Sequence, residues 1–308
     1  MTAGAFMKST GIERRRLADV SVCTSDLCIR AAESLLEKLG WERGSVDCLV
    51  FVSQTPDYRL PATSCIIQDR MELSNECYTL DISLGCSGWV YALSVITSLM
   101  SSGQMKRGLL LAGDTISKIC SGSDKSTYPL FGDAGTATAF EYDEKASDIK
   151  FQMNTDGGEY QSIIQKTGGT RYPLLHENDV DRFLKLDGMN VFTFGISKAP
   201  ESVNTLLDRF SLHKESIDYY WFHQANLFMN EKIRKKLKLP AEKVPYSLRD
   251  FGNTSCATIP LTMITQKKTE LETGNLKHLA CGFGVGLSWG SVYFETHSLV
   301  CTELIEYK

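Results

Sequence analysis

Apolar and polar positions along the chain switch repeatedly between a helical period and short continuous apolar runs, so helices and strands alternate. Ser25 to Leu39 reads as a helix that Ser25 caps and Gly40 stops, and Asp47 to Ser53 (DCLVFVS) as a buried strand. Pro61 opens a helix to about Met71, Cys77 to Ile82 is a second strand, Cys86 to Ser102 a very apolar helix, and Gly108 to Gly113 (GLLLAG) a third strand. A second series starts near Ala146. It holds a strand from Asp148 to Met153, a polar stretch from Thr155 to Asp187, a helix from Val191 to Phe210 and a strand from Ile217 to Phe222. A helix from Asn226 to Leu237, a short strand near Val244, a helix from Ala257 to about Leu271 and a hairpin of His278 to Phe283 and Leu287 to Phe294 complete it. This order predicts an α/β fold in two halves, residues 1–145 and 146–308. Each half puts a reactive side chain, Cys86 or His223, where a core strand gives way to a helix, and open α/β sheets bind ligands at such strand ends.

Composition narrows the class. A chain of 308 residues that is 43% hydrophobic and 23% charged can bury a large core, which excludes disordered and fibrous proteins. Its 33 basic and 37 acidic side chains give a net charge of -4, so no general field draws it to nucleic acid or to a membrane, and neither is expected as a partner. The longest nearly apolar stretch, Trp89 to Met100, is well short of the roughly 20 residues of a membrane helix. Met1 to Thr10 lacks the features of an export signal, and a cytoplasmic protein is expected. The 10 cysteines sit singly, mostly in apolar runs and without a CxxC pair, so they read as reduced, buried residues. No zinc-type spacing occurs, and neither a metal nor a cofactor is expected.

Three segments carry candidate chemistry. Asp81 to Trp89 (DISLGCSGW) runs from a strand through a glycine into Cys86 at a helix start. The helix dipole there is expected to lower the thiol pKa, and the Cys86 N–H to hold an oxyanion on the carbon attacked. A buried cysteine opening a core helix is the alternative. His223 follows the aromatic strand end YYWF, where a lone histidine is more often a hydrogen-bonded structural residue; the other four histidines lie in polar surroundings. Asn253, in FGNTS, opens a helix and can equally be its cap. The order Cys, His, Asn, with 137 residues from Cys86 to His223, also fits papain-type hydrolases, whose spacing is about 130 to 150. In that arrangement Asn orients the His; in the competing one both face the substrate. Gly282 to Gly290 is a glycine hairpin without the order of a dinucleotide loop, and its use is close approach of backbone to a ligand. Gly132 to Gly135 reads as a turn before a strand over Thr136 to Phe140, and the basic run Lys232, Arg234, Lys235, Lys236, Lys238 as either a solvated face or a docking patch for an acidic partner.

TGIERR (10–15), DISLGCSGWVYAL (81–93), FGDAGTATA (131–139), FHQAN (222–226), GNTSCATIP (252–260) and FGVGLSWGS (283–291) together resemble ketoacyl-acyl-carrier-protein synthase III of the thiolase superfamily. The resemblance implies a thiolase-like fold of two similar α/β halves in five layers, and a homodimer. It implies that Cys86 accepts an acyl group from a thioester, that His223 and Asn253 donate to a malonyl thioester losing carbon dioxide, and that the N–H groups of Cys86 and Val285 form the oxyanion hole. It assigns substrate contacts to Leu60, Lys125, Met189, Phe192, Phe228 and Phe283, and an acyl carrier protein to the basic run. Departures are as informative: the usual first strand and coenzyme-stacking Trp have no counterpart, Phe228 and Lys125 stand where arginines are common, and Met189 where a polar coenzyme contact is. These point to a carrier-bound acyl donor in place of free coenzyme A. Transfer to an oxygen or nitrogen acceptor, Cys-dependent hydrolysis and a non-catalytic dimeric partner remain alternatives.

Overall fold

The computed structural model describes residues 3–174, 176 and 179–307. Helices α1 (Ala3–Thr10) and α2 (Thr24–Leu39) lead into β1 (Cys48–Val52), whose five side chains are all buried because the strand is covered on both faces. Helix α3 (Thr63–Arg70), β2 (Tyr78–Ile82), α4 (Gly88–Met100), β3 (Arg107–Asp114) and β4 (Ala134–Glu141) complete a sheet of order β2-β1-β3-β4. Its first three strands are parallel and β4 is antiparallel to β3. Then follow β5 (Lys150–Thr155), the two-residue strands β6 (Ile163–Ile164) and β7 (Lys185–Leu186), α5 (Gly188–Arg209), β8 (Tyr219–Phe222), α6 (Leu227–Lys236), α7 (Leu248–Phe251), α8 (Thr258–Thr273), β9 (Asn275–Gly284) and β10 (Ser288–His297). The second sheet has the order β5-β10-β9-β8.

One pairing scheme occurs twice. Strands β1 and β3 are parallel with β4 antiparallel beyond them, and β8, β9 and β10 repeat that arrangement. Strand β5 then covers the outer edge of β10, whereas no strand covers the outer edge of β4 among the described residues. A cavity of about 490 Å³ lies beside β4, lined by residues that include Leu17, Thr136, Ile264 and Leu304 and none of Cys86, His223 and Asn253. Helices α2 and α3 pack on one face of the first sheet, α4 and α8 fill the space between the sheets, and α5 and α6 cover the second sheet's far face, which makes five layers. In the middle layer Trp89, Val90, Leu93 and Ile96 of α4 meet Val50, Val52 and Leu110 on one side and Trp221, Ala280 and Val292 on the other. A helix pressed between two sheets keeps only a narrow partly exposed edge, here Tyr91, Ser94, Val95 and Ser98, hence its largely apolar sequence. The sheets break between Glu141 and Lys150, but chain segments cross back: the N–H groups of Glu13 and Arg14 both donate to the Arg249 carbonyl at 2.9 Å.

Several expected elements move. Helix α2 is capped at Cys23, whose N–H donates to Asp26 Oδ2 at 2.6 Å, while the Ser25 hydroxyl donates to Asp57. No strand forms at Val244, because its N–H is consumed by the Ala241 carbonyl in a one-turn helix. Strand β4 begins at Ala134, inside the expected turn. His278, expected in polar surroundings, is fully buried: Trp221 donates to its Nδ1 at 3.1 Å, and Nε2 pairs with the Thr296 hydroxyl at 2.8 Å.

Candidate active site

Cys86 lies between β2 and α4, in a turn closed by the Gly88 N–H on the Gly85 carbonyl at 2.6 Å. The start of α4 and the end of β9 meet there. A Cβ on Gly284 would stand 2.5 Å from Cys86 Cβ and 2.8 Å from its sulfur, so only glycine lets the β9 backbone pass. The next residue brings its N–H toward the sulfur, and the Cys86 N–H faces it too. The Val285 carbonyl is held by the Ser288 hydroxyl at 2.8 Å, and Ser288 is bonded in turn to Ser87 at 2.7 Å, which fixes that peptide.

Burial, and then the Asp114 carboxylate, push the Cys86 thiol up to about 12, against the opposing pull of the two N–H groups and the Ser255 hydroxyl. The helix-terminus expectation of a lowered thiol pKa is thus overturned. The sulfur keeps its proton at neutral pH, because a buried thiolate would lose more hydration than the nearby donors return.

His223 follows β8 with its backbone N–H on the Cys281 carbonyl at 2.9 Å, and the residue is 2% exposed. The ring meets Phe283 edge-on at 5.5 Å, and its Nδ1 lies 2.9 Å from the Thr258 hydroxyl. Burial lowers its pKa to about 3, so it is neutral at physiological pH. Asn253, 6% exposed, is pinned through its backbone to Leu130 and Gly132 at 2.9 and 3.0 Å. Its Oδ1 accepts the Ser255 N–H at 2.9 Å, which leaves the side-chain NH₂ as a donor. Ser255 was not singled out by the sequence, yet it joins the site: its hydroxyl faces Cys86 and its backbone faces His223. Because His223 is oriented by Thr258 and not by Asn253, the papain-type division of labour fails.

The remaining expected residues divide. Phe192 and Phe228 stack at 5.5 Å and 14°, with Lys232 Nζ 5.4 Å from the Phe228 ring. Phe228, Met189 and Leu60 are exposed, as is Lys125. Lys232, Lys235, Lys236 and Lys238 face solvent, whereas Arg234 is held by Glu231 through two 2.8 Å bonds and turns inward. Among the described residues no group of side chains has metal-binding geometry, and no helix is long and apolar enough to cross a membrane. All 10 cysteines are free.

Buried His223 and His278, lowered to about 3 and about 4, give a testable pH dependence. Their folded pKa values lie below the unfolded one, so the unfolded chain takes up protons first as pH falls. Their contribution to stability is complete above about pH 6.5 and is lost below it, at about 1.4 kcal/mol per pH unit for each histidine. Denaturant unfolding at pH 7 and pH 5.5 should show that decline, with a smaller one in His278→Phe.

A thiol between two sheets at a helix start, joined through Ser255 to a neutral buried histidine and an amide donor, marks a thiolase-fold acyl-transfer enzyme. Residues 80–157 match the family described as 3-oxoacyl-[acyl-carrier-protein] synthase III, and residues 207–296 match its C-terminal part. A β-ketoacyl-[acyl-carrier-protein] synthase III of Streptococcus agalactiae is 35% identical over 285 residues, covering 92% of this chain and 87% of that protein. The crystal structure of a 3-oxoacyl-(acyl-carrier protein) synthase from Burkholderia xenovorans superposes with a TM-score of 0.95 at 42% identity, over 100% of this chain and 90% of the other. The synthase III of Pseudomonas aeruginosa gives 0.87 at 28% identity, over 97% and 91%. The chain belongs to the 3-oxoacyl-acyl-carrier-protein synthase III family, a family of condensing acyltransferases.

Proposed function

We propose that the protein takes an acyl group from a thioester onto Cys86 and condenses it, in fatty acid synthesis, with a malonyl thioester that loses carbon dioxide. The orientation of Asn253 carries this reading: with Oδ1 consumed by Ser255, its NH₂ is free for a substrate carbonyl. His223 supplies the second donor when its proton is on Nε2. That tautomer needs the Thr258 hydroxyl, which lies 2.9 Å from both the Ser255 carbonyl and His223 Nδ1, to donate to Nδ1. Two neutral donors stabilise the enolate left by decarboxylation without protonating it. The N–H groups of Cys86 and Val285 hold the oxyanions of the acyl-transfer steps, and Phe283 packs the site from the side of His223.

The acyl donor is a carrier-protein thioester. Phe192 and Phe228, flanked by exposed Met189, form an aromatic platform beside Lys232, Lys235, Lys236 and Lys238, which suits an acidic carrier delivering a pantetheine arm. Among the described residues no strand pairs with the outer edge of β2, and Tyr58 and Leu60 are exposed; we assign that edge to a homodimer in which Leu60 reaches the partner's acyl tunnel. Exposed Lys125 contacts the donor, and the protein works in the cytoplasm. At low salt, Lys235→Glu/Lys236→Glu should slow acylation of Cys86 by an acidic carrier about tenfold and leave acylation by the coenzyme A thioester unchanged. Coenzyme A acylating wild type as fast as the carrier, or a carrier rate indifferent to salt and to charge reversal, contradicts the docking assignment.

A further inference from the structure

Acyl transfer to Cys86 releases a proton, since the sulfur starts protonated and ends bonded to carbon. His223 stands beside the site, but its pKa of about 3 makes it a poor acceptor. A second titratable group acts on the thiol. Asp114, the last residue of β3, is completely buried, and its two oxygens differ sharply. Oδ1 accepts the Ser53 hydroxyl at 2.9 Å, the Gln54 N–H at 2.7 Å, and the Thr55 N–H and hydroxyl at 3.1 and 3.0 Å. Oδ2 is equally buried and has no hydrogen-bond partner. Buried carboxylate oxygens are rarely left so, and an orphan next to a reactive thiol calls for a role.

Ser255 stands between the two. Its hydroxyl faces both the Asp114 carboxylate and the Cys86 thiol without closing a hydrogen bond to Oδ2. Ser255 has φ +53, a left-handed conformation that costs a non-glycine residue energy, and it is 2% exposed. The strain is imposed from both sides: the Ser255 N–H is tied to Asn253, and Cys256 is tied by its thiol to the Gly113 and Val52 carbonyls at 3.3 Å each. The bent chain is thereby held against the end of β3.

We propose that Ser255 and Asp114 form a proton relay for Cys86. As the sulfur attacks the acyl carbon, its S–H bond breaks and the proton passes to the Ser255 oxygen, while the Ser255 hydroxyl proton moves to Asp114 Oδ2. Collapse of the tetrahedral intermediate breaks the bond to the donor sulfur, and the same path returns a proton to that leaving thiolate. No net charge is left in the site. Burial raises the Asp114 pKa above the usual carboxylate range, which makes it a better acceptor than a surface carboxylate. The titratable groups facing Asp114 are Cys86 from the α4 side, Cys256 from the α8 side and Cys28 from α2, with neutral His223 beyond Ser255. Asp114 acts through Ser255 and is a positioning and proton-holding residue; Ser255 meets the reacting sulfur.

This inference rests on Cys86 being the acylated nucleophile, and its test separates the two. Acylation of Cys86 by an acyl thioester is followed by intact mass between about pH 6 and 9 in wild type, Ser255→Ala, Asp114→Asn and the double variant. Wild type should show a rate nearly flat in this range. Ser255→Ala and Asp114→Asn should each be about a hundredfold slower at pH 7, with rates rising about tenfold per pH unit. The double variant should be no slower than either single one, as for residues acting in one path. Ser255→Ala leaves Asp114 and its four donors intact, so it decides the matter even where Asp114→Asn fails to fold. A folded Ser255→Ala with the wild-type rate and profile overturns the relay, as does an Asp114→Asn that acylates at lower pH and at least as fast as wild type. Absence of a label on Cys86 in wild type would instead overturn the nucleophile assignment.

Discussion

Cys86→Ala abolishes covalent acylation and lowers condensation by on the order of 10⁴-fold or more, since the nucleophile is lost while the backbone N–H groups of the oxyanion hole stay in place. An acyl thioester adds one acyl mass to wild type, and peptide mapping finds it on Cys86 alone. The chain supplies its own control. Cys65 is exposed and Cys23 half-buried, so both meet reagents that Cys86 meets, but neither sits in a turn where two N–H groups converge on its sulfur. A small alkylating agent therefore modifies Cys65 as well, while an acyl thioester does not. Acyl label that persists in Cys86→Ala would show that accessibility, not the site, selects the cysteine.

His223→Ala and Asn253→Ala should separate the two half-reactions. Each removes a donor aimed at the malonyl carbonyl and leaves the Cys86 turn and the Val285 peptide in place, so acylation survives within about tenfold. Decarboxylation should fall about a hundredfold for each, the usual loss for one oxyanion-hole donor. Asn253→Asp tests the orientation argument. Its carboxylate can still accept the Ser255 N–H but presents an acceptor to the substrate, so decarboxylation should be as poor as in Asn253→Ala. A variant at Asn253 that decarboxylates normally and fails only in acylation would restore the hydrolase-like division of roles.

The fold was legible where burial is two-sided. Strands β1 and β3 and helix α4 are apolar over most of their length, and their boundaries fall within a few residues of those expected. Elements whose form depends on partners distant in sequence were not. Val244 looks like a strand residue, but its N–H is captured locally, and His278 looks polar because lysine precedes it, while its ring is enclosed by Trp221 and Thr296. The basic run on α6 read as five equivalent charges, yet Glu231, three residues before Arg234, takes that guanidinium out of the patch. Of the site, Cys86, His223 and Asn253 were visible as strand-end or helix-start residues, each weak alone and joined by the resemblance to a family. Asp114 and Ser255 carried no signal, because nothing local distinguishes an aspartate ending an apolar strand or a serine after Asn-Thr. Their significance appears only when β3 and the start of α8 close on Cys86.

One measurement goes to the centre of the account. Enzyme acylated on Cys86 is freed of excess donor and mixed with a malonyl carrier-protein thioester labelled in its free carboxyl carbon, and carbon dioxide, enzyme mass and products are followed through a single turnover. The structure predicts one labelled carbon dioxide for each acyl group lost from Cys86, and a 3-oxoacyl thioester in equal amount. Loss of the acyl group as free acid, with no carbon dioxide released, would contradict it.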